Sequence, residues 1–232
     1  MNINDIFNEE SINIFTDASI LKLPNGEYMG APGCVVVHND QILESSVFIT
    51  DDTTNNNSEI KAIRLGVQAA LKYKDHFPCI RLFSDSQICV FGLREWIYKW
   101  KTDSTGSTLL STSGTPVANQ EIFLEIANYI VLNNLEIELF HQRGHIALTN
   151  PDSVIKATDD FNKFNYNCGA DIELVKKLSY YNNMVDEMTR SHLQAKYFEA
   201  QYVYQDACKF NLINQVDLSK FHELTHNHIL NT

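Results

Sequence analysis

The stretch Ile80-Arg-Leu-Phe-Ser-Asp-Ser-Gln-Ile-Cys-Val-Phe-Gly-Leu-Arg-Glu-Trp96 constrains the fold of this chain more than any other. Its short apolar run ends abruptly at Asp85, and Ser84-Asp85-Ser86 is the polar punctuation that opens a helix, so the pattern predicts a buried central strand that delivers a carboxylate to its carboxyl end. A group placed there is held by a rigid sheet and faces the crevice where ligands of α/β folds collect. Taken alone, Asp85 or Ser86 reads first as a plain helix N-cap. What decides between cap and chemistry is how many other carboxylates the chain brings to similar places.

Ser11-Ile-Asn-Ile-Phe-Thr-Asp17 alternates polar and apolar residues and stops at Asp17, a second strand ending in a carboxylate. A turn is expected at Pro24-Asn25-Gly26, and then Gly33 to His38 and Ile42 to Thr50 flank Asn39-Asp40 as an antiparallel hairpin. These strands form a meander beside the first. The polar run Asp51 to Ser58 is a loop with helix-capping chemistry at its end. Beyond it Ile60, Ile63, Val67, Ala70 and Leu71 fall at helical spacing, with Glu59 in the first turn. Alone, Glu59 would be a carboxylate favoured by the helix dipole.

After Asp85 the helical pattern runs on through Trp96 and Trp100, with Arg94, Lys99 and Lys101 beside the two indoles. That reads either as a nucleic-acid patch or as long cationic side chains lying along packed tryptophans. Thr102 to Ala118 is rich in Ser, Thr and Gly, holds no Lys or Arg, and reads as a loop. A helix from about Asn119 to Leu132 and a strand from Leu135 to His141 follow, closed by Gln142-Arg143-Gly144-His145. Residues 146–180 read as an insertion, and Asn182-Asn-Met-Val-Asp186 opens the last strong helix, which runs to about Tyr204. His222, His226 and His228 in the tail read as solvated side chains rather than a metal site.

Strand ends and helix starts thus bring together Asp17, Glu59, Asp85 and Asp186. Carboxylates converging on one crevice repel one another unless cations are present. Oxygen-only ligation suits Mg²⁺ or Mn²⁺, and a pair of ions roughly 3.5 to 4 Å apart is the usual apparatus of phosphodiester hydrolysis. The net charge of -11 argues against non-specific adhesion to nucleic acid, but it is compatible with an enzyme whose acidic groups hold metal. No apolar run is long enough to span a bilayer and the N-terminus lacks the charge pattern of a secretory signal, so a cytoplasmic location is expected. Cys34, Cys79, Cys89, Cys168 and Cys208 are scattered without a C-x-x-C pair, which indicates neither a disulfide framework nor a zinc knuckle.

The segments Ile14-Phe-Thr-Asp-Ala-Ser19, Thr53-Thr-Asn-Asn-Asn-Ser-Glu59, Phe83-Ser-Asp-Ser-Gln87, Trp96-Ile-Tyr-Lys-Trp100, Pro116-Val-Ala-Asn119, Arg143-Gly-His145 and Asn182-Asn-Met-Val-Asp186 occur in an order that resembles ribonuclease H of type 1. The resemblance covers most of residues 10–195. It implies an α/β, ribonuclease H-like fold: a five-stranded mixed sheet, an antiparallel meander plus parallel strands, with helices on both faces. It also implies a catalytic domain at 10–195 with an insertion at about 146–180, and a helical extension at 196–232.

The implied activity is endonucleolytic hydrolysis of the RNA strand of RNA–DNA hybrids by two Mg²⁺ ions, with Mn²⁺ as a substitute, leaving 5'-phosphate and 3'-hydroxyl ends. By resemblance, Asp17 would bridge both ions, Asp186 would complete the site of the ion that activates water, and Glu59 and Asp85 would hold the other. His145 would assist water positioning or product release, a role suited to an imidazole. Asn55, Asn56, Gln87, Trp96, Trp100 and Asn119 would contact the hybrid, and Glu59 with nearby backbone would read 2'-hydroxyls. A monomer acting on a hybrid, without a membrane, is expected. The alternatives are another nuclease or resolvase on the same fold, or a non-catalytic nucleic-acid-binding module.

Overall fold

Strand β1 (Ser11–Lys22) is buried along its first seven residues, and the sheet is assembled around it. The structure, a computed structural model, describes residues 3–23, 26–51 and 54–209, with side chains as far as 199. β2 (Tyr28–His38) runs antiparallel to β1, and β3 (Gln41–Val47) antiparallel to β2. The hairpin between β2 and β3 turns on Asn39 and Asp40, both left-handed (φ 44° and 64°), which matches the twist of the flanking strands. β4 (Thr50–Asp51) pairs with the start of β2. α1 (Asn55–Tyr73) leads to β5 (Cys79–Ser84), which lies parallel to β1.

α2 (Gln87–Phe91) gives way to a π turn at Gly92–Trp96 and a 3-10 turn at Ile97–Lys99. A short ribbon of β6 (Lys101–Thr102) and β7 (Leu109–Leu110) precedes α3 (Gln120–Leu132). β8 (Glu138–His141) lies parallel to β5, and α4 (Pro151–Phe164) and α5 (Ile172–Lys209) follow. The main sheet has the order β3-β2-β1-β5-β8, the mixed five-stranded arrangement expected, with β4 added on β2. The chain divides into two compact units, 1–193 and 194–232, and each is taken by itself. In the second, Lys196 pairs with Glu199 one turn on. No helix of the described residues is long and apolar enough to cross a membrane.

Alternation along the central strands explains why both faces of the sheet are covered. Ile12, Ile14, Cys34, Val36, Ile80 and Leu82 pack against apolar residues of α1, α2 and α3. Phe15, Val35, Val37 and Phe83 pack against α4 and α5. On this second face Phe15, Phe83, Phe140 and Phe161 stack in a row at 5.1, 5.2 and 6.1 Å, and Tyr181 of α5 lies 5.0 Å from Phe15. Such pairs add about 0.5–1.5 kcal/mol each beyond the area they bury. Gly33 of β2 lets α5 come close, since a Cβ there would stand 2.6 Å from Thr189 Cγ2.

Several boundaries differ from expectation. β1 does not stop at Asp17 but continues to Lys22, because its pairing with β2 persists after its ladder with β5 ends. The strand expected at 42–50 is broken after Val47, and the one expected at 135–141 starts at Glu138. The stretch expected as a loop after Trp100 holds the β6–β7 ribbon, whose turn is closed by Asp103 accepting from Thr105, Ser107 and Thr108. α5 begins at Ile172 rather than Asn182, started by Asp171 Oδ1 accepting from Leu174 N at 2.8 Å. The expected insertion is therefore built of α4 and the first turns of α5. Pro24, Asn25 and the tail histidines lie outside the described residues.

Candidate active site

The two parallel ladders of the sheet close at the same level. The β1–β5 ladder closes at Thr16↔Ser84 and the β5–β8 ladder at Ser84↔His141, so Asp17, Asp85 and Gln142 are the next residues out on adjacent chains. Gln142 N donates to Ser84 O at 3.0 Å and keeps this edge in register. Asp17 Oδ1 accepts from Ala18 N at 2.7 Å. Glu59 comes from α1, which is capped by Thr54 accepting from Asn57 N at 3.2 Å and starts at Asn55. Glu59 therefore sits one turn inside the helix, not in the first turn as expected, and helix-dipole stabilisation does not explain it.

One oxygen from each of Asp17, Glu59 and Asp85 lies within 4.8 Å of the others. Burial, and then the charge of Asp85, raise Asp17 from the ordinary carboxylate range to about 8. Burial, with Asp17 and Asp85 behind it, pushes Glu59 well above its usual value, and burial also raises Asp85. Asp17 Oδ2 and Glu59 Oε2 are buried without a hydrogen-bond partner. Buried acceptors left open, all oxygen and mutually repelling, fit a hard divalent cation as the missing counter-charge.

Asp186 approaches this trio from α5 and adds to the repulsion felt by Asp17, Glu59 and Asp85. It lies within the helix rather than at its start. Its Oδ2 pairs with Arg190 one turn on and lies 3.5 Å from His145 Nδ1. Thr189 Oγ1 donates to Asp186 O at 2.9 Å and meets Ser19 Oγ at 3.0 Å, which ties α5 to β1 beside the site. His145 is 70% exposed on a left-handed residue (φ 52°), so its ring stands at the solvent side of the carboxylates.

The structure brings the other expected residues to differing places. Asn55 and Asn56 lie in the first turn of α1, and Asn119, left-handed at φ 56°, occupies the N-cap position of α3 without a side-chain capping bond and accepts from Asn57 Nδ2 at 2.8 Å. Gln87 opens α2 two residues after Asp85. Ser86 occupies the N-cap position, but its side chain makes no capping bond. Trp96 lies partly exposed against Phe91, whereas Trp100 packs edge-on to Phe123 at 5.1 Å. Arg94, read as a possible nucleic-acid contact, is held inward by Asn165, Phe164 O and Glu95.

Sequence reasoning missed four participants. Asn182 stands one turn before Asp186, receives a hydrogen bond from Gln142 Nε2 at 2.7 Å, and turns its own amide toward Asp85, where it opposes the rise caused by burial. Both amides are buried, and the i, i+4 spacing of Asn182 and Asp186 was the available signal. Arg190, at the same spacing beyond Asp186, is the third. Gly144 is the fourth: a Cβ there would lie 2.0 Å from Asp85 Oδ2, so only glycine lets the loop close over that carboxylate.

Comparison with known proteins bears on this geometry. The family model for RNase H matches residues 9–157, which include Asp17, Glu59, Asp85 and His145 but not Asp186. A ribonuclease H of Haemophilus influenzae (strain 86-028NP) is 34% identical over 119 residues, 51% of this chain and 69% of that protein. A ribonuclease HI of Pasteurella multocida (strain Pm70) is 30% identical over 151 residues, 64% of this chain and 90% of that protein. Among solved structures, LC11-RNase H1 in complex with RNA/DNA hybrid aligns with a TM-score of 0.42 at 18% identity, over 66% of this chain and 97% of that one.

Proposed function

The chain belongs to the RNase H family, and from that premise we propose that it is a metal-dependent endonuclease that hydrolyses the RNA strand of RNA–DNA hybrids. The observation that carries the reading is the trio Asp17, Glu59 and Asp85, the first buried and the other two partly so, mutually destabilised and open at two buried oxygens, with Asp186 and His145 at its rim. In the overall reaction water adds to phosphorus, the bond from phosphorus to the 3'-oxygen breaks, and the products carry a 5'-phosphate and a 3'-hydroxyl.

Two Mg²⁺ ions, replaceable by Mn²⁺, would supply positive charge to the attacking and leaving oxygens. Asp17 would be shared between them, Glu59 and Asp85 would hold one, and Asp186 would complete the other. Gln142 and Asn182 are joined by a hydrogen bond beside Asp85, and Asn182 favours the charged form of that carboxylate, the form a cation needs. His145, at the solvent edge beside Asp186, would assist water positioning or product release. Asn55, Asn56, Gln87 and Asn119 lie at helix starts, where short polar side chains and free backbone N–H groups suit phosphate and sugar contacts.

The test is cleavage of a labelled hybrid with Mg²⁺ or Mn²⁺. We expect cutting of the RNA strand alone, abolished by Asp17→Asn and by Asp85→Asn with circular dichroism unchanged. Cutting of duplex DNA, or no cutting, rejects the proposal. Near-normal activity in Asp186→Asn would place the fourth ligand elsewhere in the chain.

A further inference from the structure

The edge strand of the sheet ends at His141, next to the site, and an edge strand leaves backbone groups unpaired. At His141 both groups are taken by one side chain. Asn165, buried at the C-terminal cap of α4, accepts from His141 N at 3.0 Å and donates to His141 O at 2.7 Å, completing the ladder as another strand would. The same amide accepts from Arg94 Nη1 at 3.0 Å and donates to Phe161 O at 2.8 Å, so it is saturated and cannot swing away cheaply.

His141 passes this constraint on. Its ring is buried between Phe91 and Phe164, and its Nε2 lies 3.2 Å from the backbone carbonyl of Asp85, a contact that needs the Nε2–H tautomer. Its Nδ1 has no partner, in keeping with that tautomer. A second tie runs from α4 to the same loop, where Arg143 Nη1 donates to Asp160 Oδ2 at 3.1 Å just before Gly144 and His145. Asp160 and Asn165 both lie beyond the residues matched by the family model.

We propose that α4 is a splint for the active site, in which Asn165 is a positioning residue that acts through His141 on Asp85, while Asp160 steadies the loop that carries His145. The proposal rests on the reading of the carboxylate trio as a metal site. Outer contacts that orient a ligand commonly change metal affinity or activity about 10- to 100-fold, although they never touch the ion.

Full-length protein is titrated with Mn²⁺ alone by calorimetry, and kcat and KM are measured on a hybrid. His141→Phe keeps a ring between Phe91 and Phe164 and removes only the contact to Asp85. We expect it to weaken Mn²⁺ binding and lower kcat by about 10-fold each, with KM for the hybrid held within about twofold. Asn165→Ala should do the same with a lower melting temperature, and if it fails to fold, His141→Phe decides alone. Folded His141→Phe with unchanged Mn²⁺ affinity and kcat overturns the splint and leaves the proposed activity standing. Wild type that binds Mn²⁺ but cuts no hybrid overturns the activity, and the splint is then judged on Mn²⁺ affinity. Wild type that binds no Mn²⁺ overturns both.

Discussion

Asp17 shows what the site costs the fold. Its folded pKa of about 8 stands far above that of an ordinary carboxylate, chiefly through burial. The folded state therefore binds this proton more tightly than the unfolded chain, and the stability so gained is complete below the unfolded value and lost as pH rises through the folded one. The window runs from about 4 to about 8. With chelator present, the melting temperature should fall as pH is raised across that window. Asp17→Asn should be more stable than wild type at the upper end, by roughly 1–3 kcal/mol. A wild-type melting temperature that is flat or rises over the same range would contradict this, and added Mg²⁺ should restore stability most at the high-pH end.

Gly144 gives a separate residue-level expectation. In Gly144→Ala the new methyl meets Asp85 Oδ2, so loop or carboxylate must move, and a shift near 1 Å at a catalytic group costs about 100-fold. Hybrid cleavage should fall by that order while the far-ultraviolet spectrum stays unchanged. The residue types of the trio were legible beforehand because each carboxylate stands next to a change of pattern. Gln142 was not, because a buried amide has no periodic signature until its partner is known, and Asn182 offered only its i, i+4 spacing to Asp186.

Among the elements, α5 departs most from expectation. The motif around Asp186 points to a start at Asn182, but Asp171, Leu174, Val175 and Leu178 supply the cap and spacing that begin the helix ten residues earlier. The apolar spacing of Val154, Ala157 and Phe161 behind the Asn150 cap and Pro151 likewise marked α4. Those signals were present in a segment read as an insertion. The position of α5 depends on Gly33, so Gly33→Ala should lose about 1–3 kcal/mol through overpacking against Thr189. Thr189→Ser removes the methyl in question and retains the hydroxyl bonded to Asp186 O and Ser19, so the double variant should recover part of the loss. Equilibrium denaturation of the two single variants and the double variant measures this coupling.

For the whole molecule, the net charge of -11 sets how a polyanionic substrate is met. Arg94 is engaged in the fold, and beyond Lys101 at the start of β6 the chain carries no Lys or Arg from Thr102 to Ala118. Arg94 and residues 102–118 are thus removed as sources of phosphate contact, which leaves Lys99 and Lys101 as the cations of this segment. Each neutralised phosphate contributes about 0.7–0.9 to the slope of log affinity against log salt, so the hybrid should show a slope of magnitude below about 4. Fluorescence anisotropy with the Asp17→Asn protein across a salt series measures it, and a markedly steeper slope would reveal a basic surface not apparent from these residues.

By itself the sequence determined the strand alternation that covers the sheet on both faces, the two-residue turn at Asn39-Asp40, and the ending of short apolar runs at carboxylates. These are local consequences of side-chain period and backbone preference, readable residue by residue. Only the tertiary structure decided that the β1–β5 and β5–β8 ladders close at one level, so that Asp17 and Asp85 lie side by side with Glu59 and leave buried oxygens open. It alone decided that Asn165 closes the sheet edge at His141. Register between distant strands and the partners of buried amides depend on packing among segments far apart in the chain, which no local pattern encodes.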